Sequence, residues 1–246
     1  MLPLRQCLGT ACANLQKRQL GRPIPDVRDP LLHRATAMAR KPPPPLPATP
    51  RPLADVRKEA ADCRRCPLWK RATQTVFGAG AADAEIVLVG EQPGDKEDTM
   101  GEPFVGPAGQ LLRRALAESG LDKRRVYLTN AVKHFKWEPR GARRLHEKPN
   151  TAEVLACQLW LELELQSLAP RLVVAMGATA VRSLLGPGGR VMRDRGTTIA
   201  REGGLPVLVT VHPSSILRAP DDAGRKEAYR AFVADLRTAA KTLTRR

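Results

Sequence analysis

The chain has 246 residues, with 41 Lys and Arg against 25 Asp and Glu, so its net charge is +16. This length allows one well-buried domain of about 200 residues plus a tail. No apolar run approaches the roughly 18 residues of a membrane helix, and no apolar secretion signal is present, so we expect a cytoplasmic protein without a membrane partner. The surplus of cations favours a nucleic acid as partner, although the arginine-rich composition of a GC-rich genome gives the same balance.

The first part of the chain is rich in proline. KPPPPLPATPRP at 41–52 is a stiff, extended stretch that joins neither a helix nor a sheet. We therefore predict a poorly ordered, basic extension over residues 1–52 and a folded domain over residues 53–246.

Apolar runs alternate with helical patterns through the rest of the chain. The apolar runs predict strands at 84–91, 125–132, 171–177 and 205–211. Periodicity and capping residues predict helices at 107–120, 150–168, 178–186 and 224–243. This order predicts an α/β protein with three layers, α/β/α, around a central, mostly parallel four-stranded sheet.

A polar motif follows each predicted strand: GEQPGD (90–95), TNAVKH (129–134), MGATA (176–180) and VHPSS (211–215). In parallel sheets, ligands bind beyond the carboxyl ends of the strands. The four motifs therefore predict a single active site at one edge of the sheet.

The first of these motifs brings a carboxylate, Glu91, into a turn whose glycines let the backbone approach a ligand closely. An ordinary strand-to-loop turn explains the same residues. Phe104, in PFVGPAG (103–109), is able to stack on a base, although a lone phenylalanine more often fills the core beneath a loop.

The later motifs carry hydrogen-bonding side chains. The amide of Asn130 suits the edge of a pyrimidine, or alternatively caps a turn. His212 is able to donate to a developing oxyanion and the serines that follow it to hold phosphates, or the histidine is structural.

Three of the five cysteines suggest a metal centre. Cys63 and Cys66 form a CxxC pair, Cys157 lies on the apolar face of the long helix, and His134 is a candidate fourth ligand. Zinc and an iron–sulfur cluster both fit this composition. A redox pair is the weakest alternative, and Cys157 is otherwise a small buried apolar residue.

A basic segment, KWEPRGARRLHEKPN (136–150), separates His134 from Cys157. Arg143, Arg144 and Lys148 are suited to phosphates. The surrounding cations favour the neutral, nucleophilic form of His146. From the residues alone, a phosphate contact by His146 is the better explanation.

Together these segments resemble the family-four iron–sulfur uracil-DNA glycosylases, from about Cys63 to the final helix. The resemblance rests on CxxC, the GE-x-PG loop, PFVGPAG, TN-x-VK and HPS in that order. Two details resemble the UdgX-type subgroup, whose members become covalently attached to uracil-containing DNA. Gln92 replaces the alanine usual in GEAPG, and the KRRIH loop of that subgroup appears as ARRLH at 142–146.

The resemblance implies a set of roles. It implies a structural [4Fe–4S] cluster on Cys63, Cys66, His134 and Cys157. It implies uracil recognition by Gln92, Gly94, Asp95, Phe104, Asn130 and His212, and DNA contacts from Arg143, Arg144, Lys148, Ser214 and Ser215. It further implies catalysis by Glu91, His146 and His212.

In the mechanism that we expect, Glu91 stabilises the sugar cation, His212 stabilises the departing base, and His146 attacks the sugar and stays joined to it. The expected partner is uracil-containing DNA, preferably single-stranded, bound by a monomer. The alternatives are an ordinary multiple-turnover uracil-DNA glycosylase and a non-catalytic, zinc-stapled nucleic-acid-binding protein.

Overall fold

The computed structural model describes residues 46–244. Most of the extension predicted over residues 1–52 therefore lies outside the described residues. The first helix begins at Leu53, and the segment before it contacts the domain through a 2.7 Å hydrogen bond from the Gln166 amide to the carbonyl of Pro47. The boundary between extension and domain stays a prediction. No helix within residues 46–244 has the length and apolarity needed to span a bilayer.

The described chain contains eight strands: β1 (Ala79–Gly80), β2 (Ile86–Gly90), β3 (Val126–Asn130), β4 (Trp137–Arg140), β5 (Arg143–His146), β6 (Leu172–Met176), β7 (Thr198–Ala200) and β8 (Pro206–Thr210). Six of them form one sheet in the order β1-β3-β2-β6-β8-β7. The four predicted strands are the parallel centre of this sheet, so the predicted fold class is confirmed. The predicted count of four strands was too low, because β1 and β7 add an antiparallel strand at each edge.

In the described part of the chain, eight α-helices accompany the sheet: α1 (Leu53–Ala61), α2 (Asp95–Met100), α3 (Pro107–Ser119), α4 (Thr151–Leu168), α5 (Ala178–Leu185), α6 (Val191–Asp194), α7 (Pro213–Leu217) and α8 (Asp222–Thr244). The alternation of side chains along β2 shows the layers. Leu88 packs in one apolar cluster with residues of α3 and α8, and Val87 packs in another with residues of α4 and α5. The sheet is therefore buried on both faces, which explains its continuous apolar strands.

Helix α4 is fixed at its start by a complete capping box. The side chain of Asn150 accepts from the backbone N–H of Glu153, and the carboxylate of Glu153 accepts from the backbone N–H of Asn150. A third apolar cluster between α1 and α4 contains Cys63 and Cys157. The capping box and this cluster place the cysteines beside the sheet, next to the end of β3.

The basic segment that the sequence predicts as a loop is instead a β-hairpin, β4 and β5. Its register pairs Trp137 with His146 and Arg140 with Arg143. Gly141 occupies the turn with φ 58°, a left-handed conformation that favours glycine. The hairpin fixes His146 as the last residue of β5, beside the carboxyl ends of the parallel strands.

Candidate active site and metal centre

A pocket of about 890 Å³ lies beyond the carboxyl ends of the parallel strands. It brings together most of the residues that the sequence predicts as site residues: Glu91, Gln92, Gly94, Asp95, Phe104, Asn130, His146, Lys148, His212, Ser214 and Ser215. Arg143 and Arg144 are not among its lining residues. The pocket is therefore assembled from the ends of β2, β3, β6 and β8, the end of the β4–β5 hairpin and the loop before α3.

Gly90, the last residue of β2, marks the centre of this convergence. A Cβ atom placed on it would lie 2.4 Å from Oδ1 of Asn130, 2.7 Å from Cζ of Phe104 and 3.4 Å from Nε2 of His212. A side chain at this position would displace the Asn130 amide and the Phe104 ring and would touch the His212 ring. The glycine therefore keeps open the space in which an amide, an aromatic ring and an imidazole meet.

Phe104 is held in a conformation that a phenylalanine rarely adopts. Its φ is 58°, and its carbonyl accepts a 2.8 Å hydrogen bond from Arg113. A Cβ on Gly109 would lie 1.6 Å from that carbonyl oxygen, so helix α3 begins close against the loop. Strained backbone of this kind concentrates at functional sites, and here it stacks the Phe104 ring on His212 with centroids 6.2 Å apart.

His212 has a defined protonation state. The backbone N–H of Ser214 donates to its Nδ1 at 3.2 Å, so Nδ1 is an acceptor and the ring proton is on Nε2. Burial, with a smaller contribution from the positive charge of Arg218, lowers the pKa of His212 to about 4. At neutral pH the ring is therefore an uncharged donor whose Nε2–H faces the pocket.

Glu91 connects two parts of the site. Its Oε2 accepts a short hydrogen bond from the hydroxyl of Thr179, and its Oε1 lies 3.4 Å from Nε2 of His146. The His146 ring is about half exposed and faces the pocket. Thr179 is a site residue that was not predicted, although its place in MGATA, directly after β6, was the available signal.

Gln92 is buried and holds the base of the hairpin. Its amide nitrogen donates to the carbonyls of Lys136 and Glu147 at 3.1 and 3.0 Å, and its oxygen accepts from the backbone N–H of Lys136 at 3.1 Å. Both amide hydrogens are used in this arrangement. A contact between Gln92 and uracil stays a prediction, and it would require one of these bonds to be released.

Arg144 anchors the middle of the hairpin. Its guanidinium forms ion pairs with Asp95 at 2.5 Å and with Asp98 at 2.6 Å, and it lies over the rings of Phe135 and Trp137. A phosphate contact by Arg144 stays a prediction, and it would compete with two carboxylates. Asp98, which is fully buried, and Trp137 are the anchoring residues that the sequence analysis missed.

The other residues predicted to contact DNA differ in whether their side chains already form hydrogen bonds within the protein. Arg143 and Lys148 are exposed, whereas the serines are engaged in the turn after β8. The hydroxyl of Ser214 lies 2.8 Å from Nδ1 of His212, and that of Ser215 donates to the His212 carbonyl at 2.7 Å. Arg218, an exposed residue of the same segment, lines the pocket and was not predicted.

Two of the predicted metal ligands, Cys63 and Cys157, are buried in the third apolar cluster, and Cys66 packs against it. The backbone N–H of Lys133 donates to Sγ of Cys157 at 3.1 Å, and the indole N–H of Trp160 donates to Sγ of Cys63 at 3.0 Å. Burial raises the pKa of Cys157 to about 12 and also raises that of Cys66.

His134 is the fourth predicted ligand. Its Nδ1 is buried without a hydrogen-bond partner, while its Nε2 lies 2.9 Å from the hydroxyl of Thr75. Within residues 46–244, no three His, Cys, Asp or Glu side chains are arranged so that they could hold a metal ion. The unpartnered imidazole nitrogen and the N–H groups directed at sulfur nevertheless fit a thiolate-rich metal group.

A buried ion pair lies between this cluster and the pocket. The Lys133 ammonium, with no exposed surface, lies 2.5 Å from Oε2 of Glu164 and donates to the carbonyl of Asn130 at 2.8 Å. Glu164 also accepts from the hydroxyls of Tyr127 and Thr129. The Lys133 ammonium, which is paired with Glu164, therefore fixes the backbone of Asn130.

Comparison with known proteins identifies the family. Residues 77–237 match the family model described as the uracil DNA glycosylase superfamily. A type-4 uracil-DNA glycosylase of Thermotoga maritima is 39% identical over 66% of this chain and 82% of its own length. The type-4 enzyme of Archaeoglobus fulgidus is 36% identical over 68% and 84%, and a type-5 enzyme of Pyrobaculum aerophilum is 28% identical over 67% and 76%. With its sheet, its pocket and these matches, the chain belongs to the uracil-DNA glycosylase superfamily.

Proposed function

We propose that the protein excises uracil from DNA, and that it then captures the resulting abasic site through His146. The observation that supports excision is the convergence of Asn130, Phe104 and His212 around Gly90, in a chain of this superfamily. The relatives carry the names of type-4 and type-5 uracil-DNA glycosylases, which favours excision as the core activity. Capture is the finer proposal, and the placement of His146 beside Glu91 supports it.

Recognition begins when the uridine leaves the base stack, which costs a few kcal/mol and is least costly in single-stranded DNA. The base would then stack on Phe104, which the backbone holds in one orientation. Asn130, only 3% exposed, offers one acceptor and two donors to the edge of the pyrimidine. The fixed backbone of Asn130 favours one pattern of hydrogen bonds and hence one base.

Cleavage of the glycosidic bond moves its electron pair onto the base. The neutral His212 ring presents an N–H donor that stabilises the negative charge on the departing uracil, which then takes a proton from water. Glu91 presents a carboxylate to the cationic sugar, as in glycoside hydrolysis. Thr179 holds this carboxylate in place through its hydroxyl.

Capture follows from the place of His146. In the plain hydrolytic reaction, water adds to the anomeric carbon of the sugar. Here Nε2 of His146, 3.4 Å from Oε1 of Glu91, would donate its lone pair to that carbon in the tautomer that carries the ring proton on Nδ1, and the imidazolium that forms would lose its Nδ1 proton to water. The product is an imidazole joined to the abasic strand, so little turnover is expected.

The cysteines and His134 would hold an iron–sulfur cluster as the resemblance implies. When bound, such a cluster would cross-link the segment before β1, the end of β3 and helix α4. Cys63, Cys66 and Cys157 are the thiolates of this proposal and His134 is the imidazole ligand. Their role is to support the pocket, since none of them lines it.

A denaturing gel tests both parts of the proposal. The substrate is a fluorescent single-stranded oligonucleotide with one central deoxyuridine, and alkali reveals abasic sites. We expect the native protein to give a band that survives heat and detergent. His146→Ala should lose this band and give alkali-sensitive DNA instead, because water replaces the imidazole.

The matched control is Leu145→Ala, which removes an exposed side chain from the same strand but leaves the imidazole. It should retain the stable band. Alkali-sensitive DNA without a stable band from the native protein would show an ordinary glycosylase. A stable band that persists in His146→Ala would assign capture to another residue, and intact DNA throughout would refute excision.

A further inference from the structure

A second cavity, of about 1490 Å³, adjoins the 890 Å³ pocket at the strand ends, which we call the uracil pocket. It follows α5 along its whole length and is closed by the start of α4 and by residues 186–202. Lys148, Ala178 and Met192 line both cavities, so the two are continuous. We call this second cavity the flanking groove, defined by Leu155, Arg182, Ser183, Arg190, Met192 and Arg193.

The flanking groove carries a positive surplus. Five cationic residues line it against two acidic ones, and one of the five, Arg201, is paired with Glu162. One of the acids, Asp194, is already occupied by the guanidinium of Arg193 and the backbone N–H of Arg190. Arg182 is exposed, and the described part of the chain provides it with no ion pair. A polyanion is therefore the ligand that the charges favour.

Two further features favour a nucleic acid over a simple anion. The hydroxyl of Ser183 is buried and lacks a hydrogen-bond partner. Met192 is 83% exposed and Leu155 is 42% exposed, so apolar surface faces the groove beside the cations. Phosphates would bind the Arg182 guanidinium and the Ser183 hydroxyl, and bases would pack against the apolar side chains.

The length of the groove fits a short stretch of strand. Helix α5 has eight residues and is therefore about 12 Å long, at 1.5 Å per residue. A DNA strand advances about 3.4 Å per nucleotide, so roughly three nucleotides extend along the helix. Met192 lines both cavities and therefore lies where they join.

We propose that the flanking groove binds the strand on one side of the uridine, with Arg182 on a phosphate and Met192 against the neighbouring base. This proposal rests on the proposed function, because the uracil pocket supplies the point from which the strand extends. Continuity with that pocket selects the substrate strand as the occupant. The groove then makes affinity depend on which side of the uridine carries DNA.

Binding of three oligonucleotides tests this proposal. Each carries a 2′-fluoroarabino uridine, whose glycosidic bond resists cleavage, at the 5′ end, the centre or the 3′ end. Affinity is measured by fluorescence anisotropy over a range of salt concentrations. Arg182→Glu should lower the affinity about tenfold for the oligonucleotide with the central analogue and for only one of the two with the analogue at an end. The slope of log affinity against log salt concentration should fall by about 0.7 for each phosphate contact that is lost.

The matched control is Arg230→Glu, which makes the same charge change on α8, in the layer on the other side of the sheet. It should change each affinity less than twofold. Equal losses for Arg182→Glu and Arg230→Glu, or equal losses for both end-labelled oligonucleotides, would overturn the proposal. Excision from an unmodified oligonucleotide by the native protein reports on the proposed function separately, so the groove proposal fails by itself if excision is intact and these differences are absent.

Discussion

Replacing Gln92 with alanine tests whether the hairpin is needed for capture of the abasic site but not for excision of uracil. The change removes three hydrogen bonds, of 3.0 to 3.1 Å, between a buried amide and the base of the hairpin. Each such bond contributes about 0.5–1.5 kcal/mol net, so the closed hairpin loses roughly 1.5–4.5 kcal/mol. Because a factor of ten corresponds to about 1.4 kcal/mol, we expect capture to slow by at least about tenfold.

Excision should respond much less, because Glu91, Asn130 and His212 are carried by the sheet and not by the hairpin. The assay follows both products from one oligonucleotide in time: stable adduct on a denaturing gel, and total abasic DNA after alkali. Hydrogen–deuterium exchange of residues 136–147 should rise in parallel. Gln166→Ala, which removes an amide far from the hairpin, is the control. If excision and capture fell equally, Gln92 would act on the base, and the positioning role would be refuted.

Three other changes probe the rest of the site. Glu164→Gln leaves the buried ammonium of Lys133 without its counter-charge and should cost about 3–5 kcal/mol of unfolding free energy in urea, with most of it regained in Lys133→Met combined with Glu164→Leu. A loss below about 1 kcal/mol would show that the pair is not charged. The ring nitrogens of His212, followed by NMR, should titrate near pH 4, and the neutral ring should carry its proton on Nε2. Because the pKa of histidine in the unfolded chain is about 6.5, the contribution of the neutral ring to the free energy of unfolding is present above pH 6.5 and is lost as the pH falls towards 4. A ring that titrates near 6.5 would contradict its burial. The purified protein should be brown, with absorbance near about 400 nm, and His134→Ala should lower its iron content and its thermal midpoint, whereas a colourless zinc protein would contradict the cluster.

The sequence predicted the centre of the fold because the physical signal there is strong. Strands β2 and β6 are buried at every residue, and a strand buried on both faces is a continuous apolar run. Strands β1 and β7 have two and three residues, too few for any periodicity, and they were missed. Strand ends then placed most of the predicted pocket residues together, because parallel strands share one carboxyl edge.

The hairpin could not be predicted because its stability is not local. Five of the eight residues of β4 and β5 are polar or charged, and a two-stranded ribbon is marginal in water without other support. The support comes from residues far along the chain: Gln92 at its base, and Asp95 and Asp98 at its middle. None of these contacts leaves a pattern within residues 136–147 themselves.

The hydrogen bonds of Gln92 connect two features that differ from the family-four pattern: the glutamine at position 92 and the hairpin that carries His146. Alanine, usual at the position of Gln92, has no amide and could not reach the carbonyls of Lys136 and Glu147. Without these bonds the carbonyls of Lys136 and Glu147 would lose their partner, and His146 would spend less time beside Glu91. Gln92, 44 residues before Lys136, therefore helps to fix the place of the histidine in the pocket. We expect the two features to depend on each other: Gln92→Ala should slow capture even though His146 is present, and His146→Ala should abolish capture even though Gln92 is present.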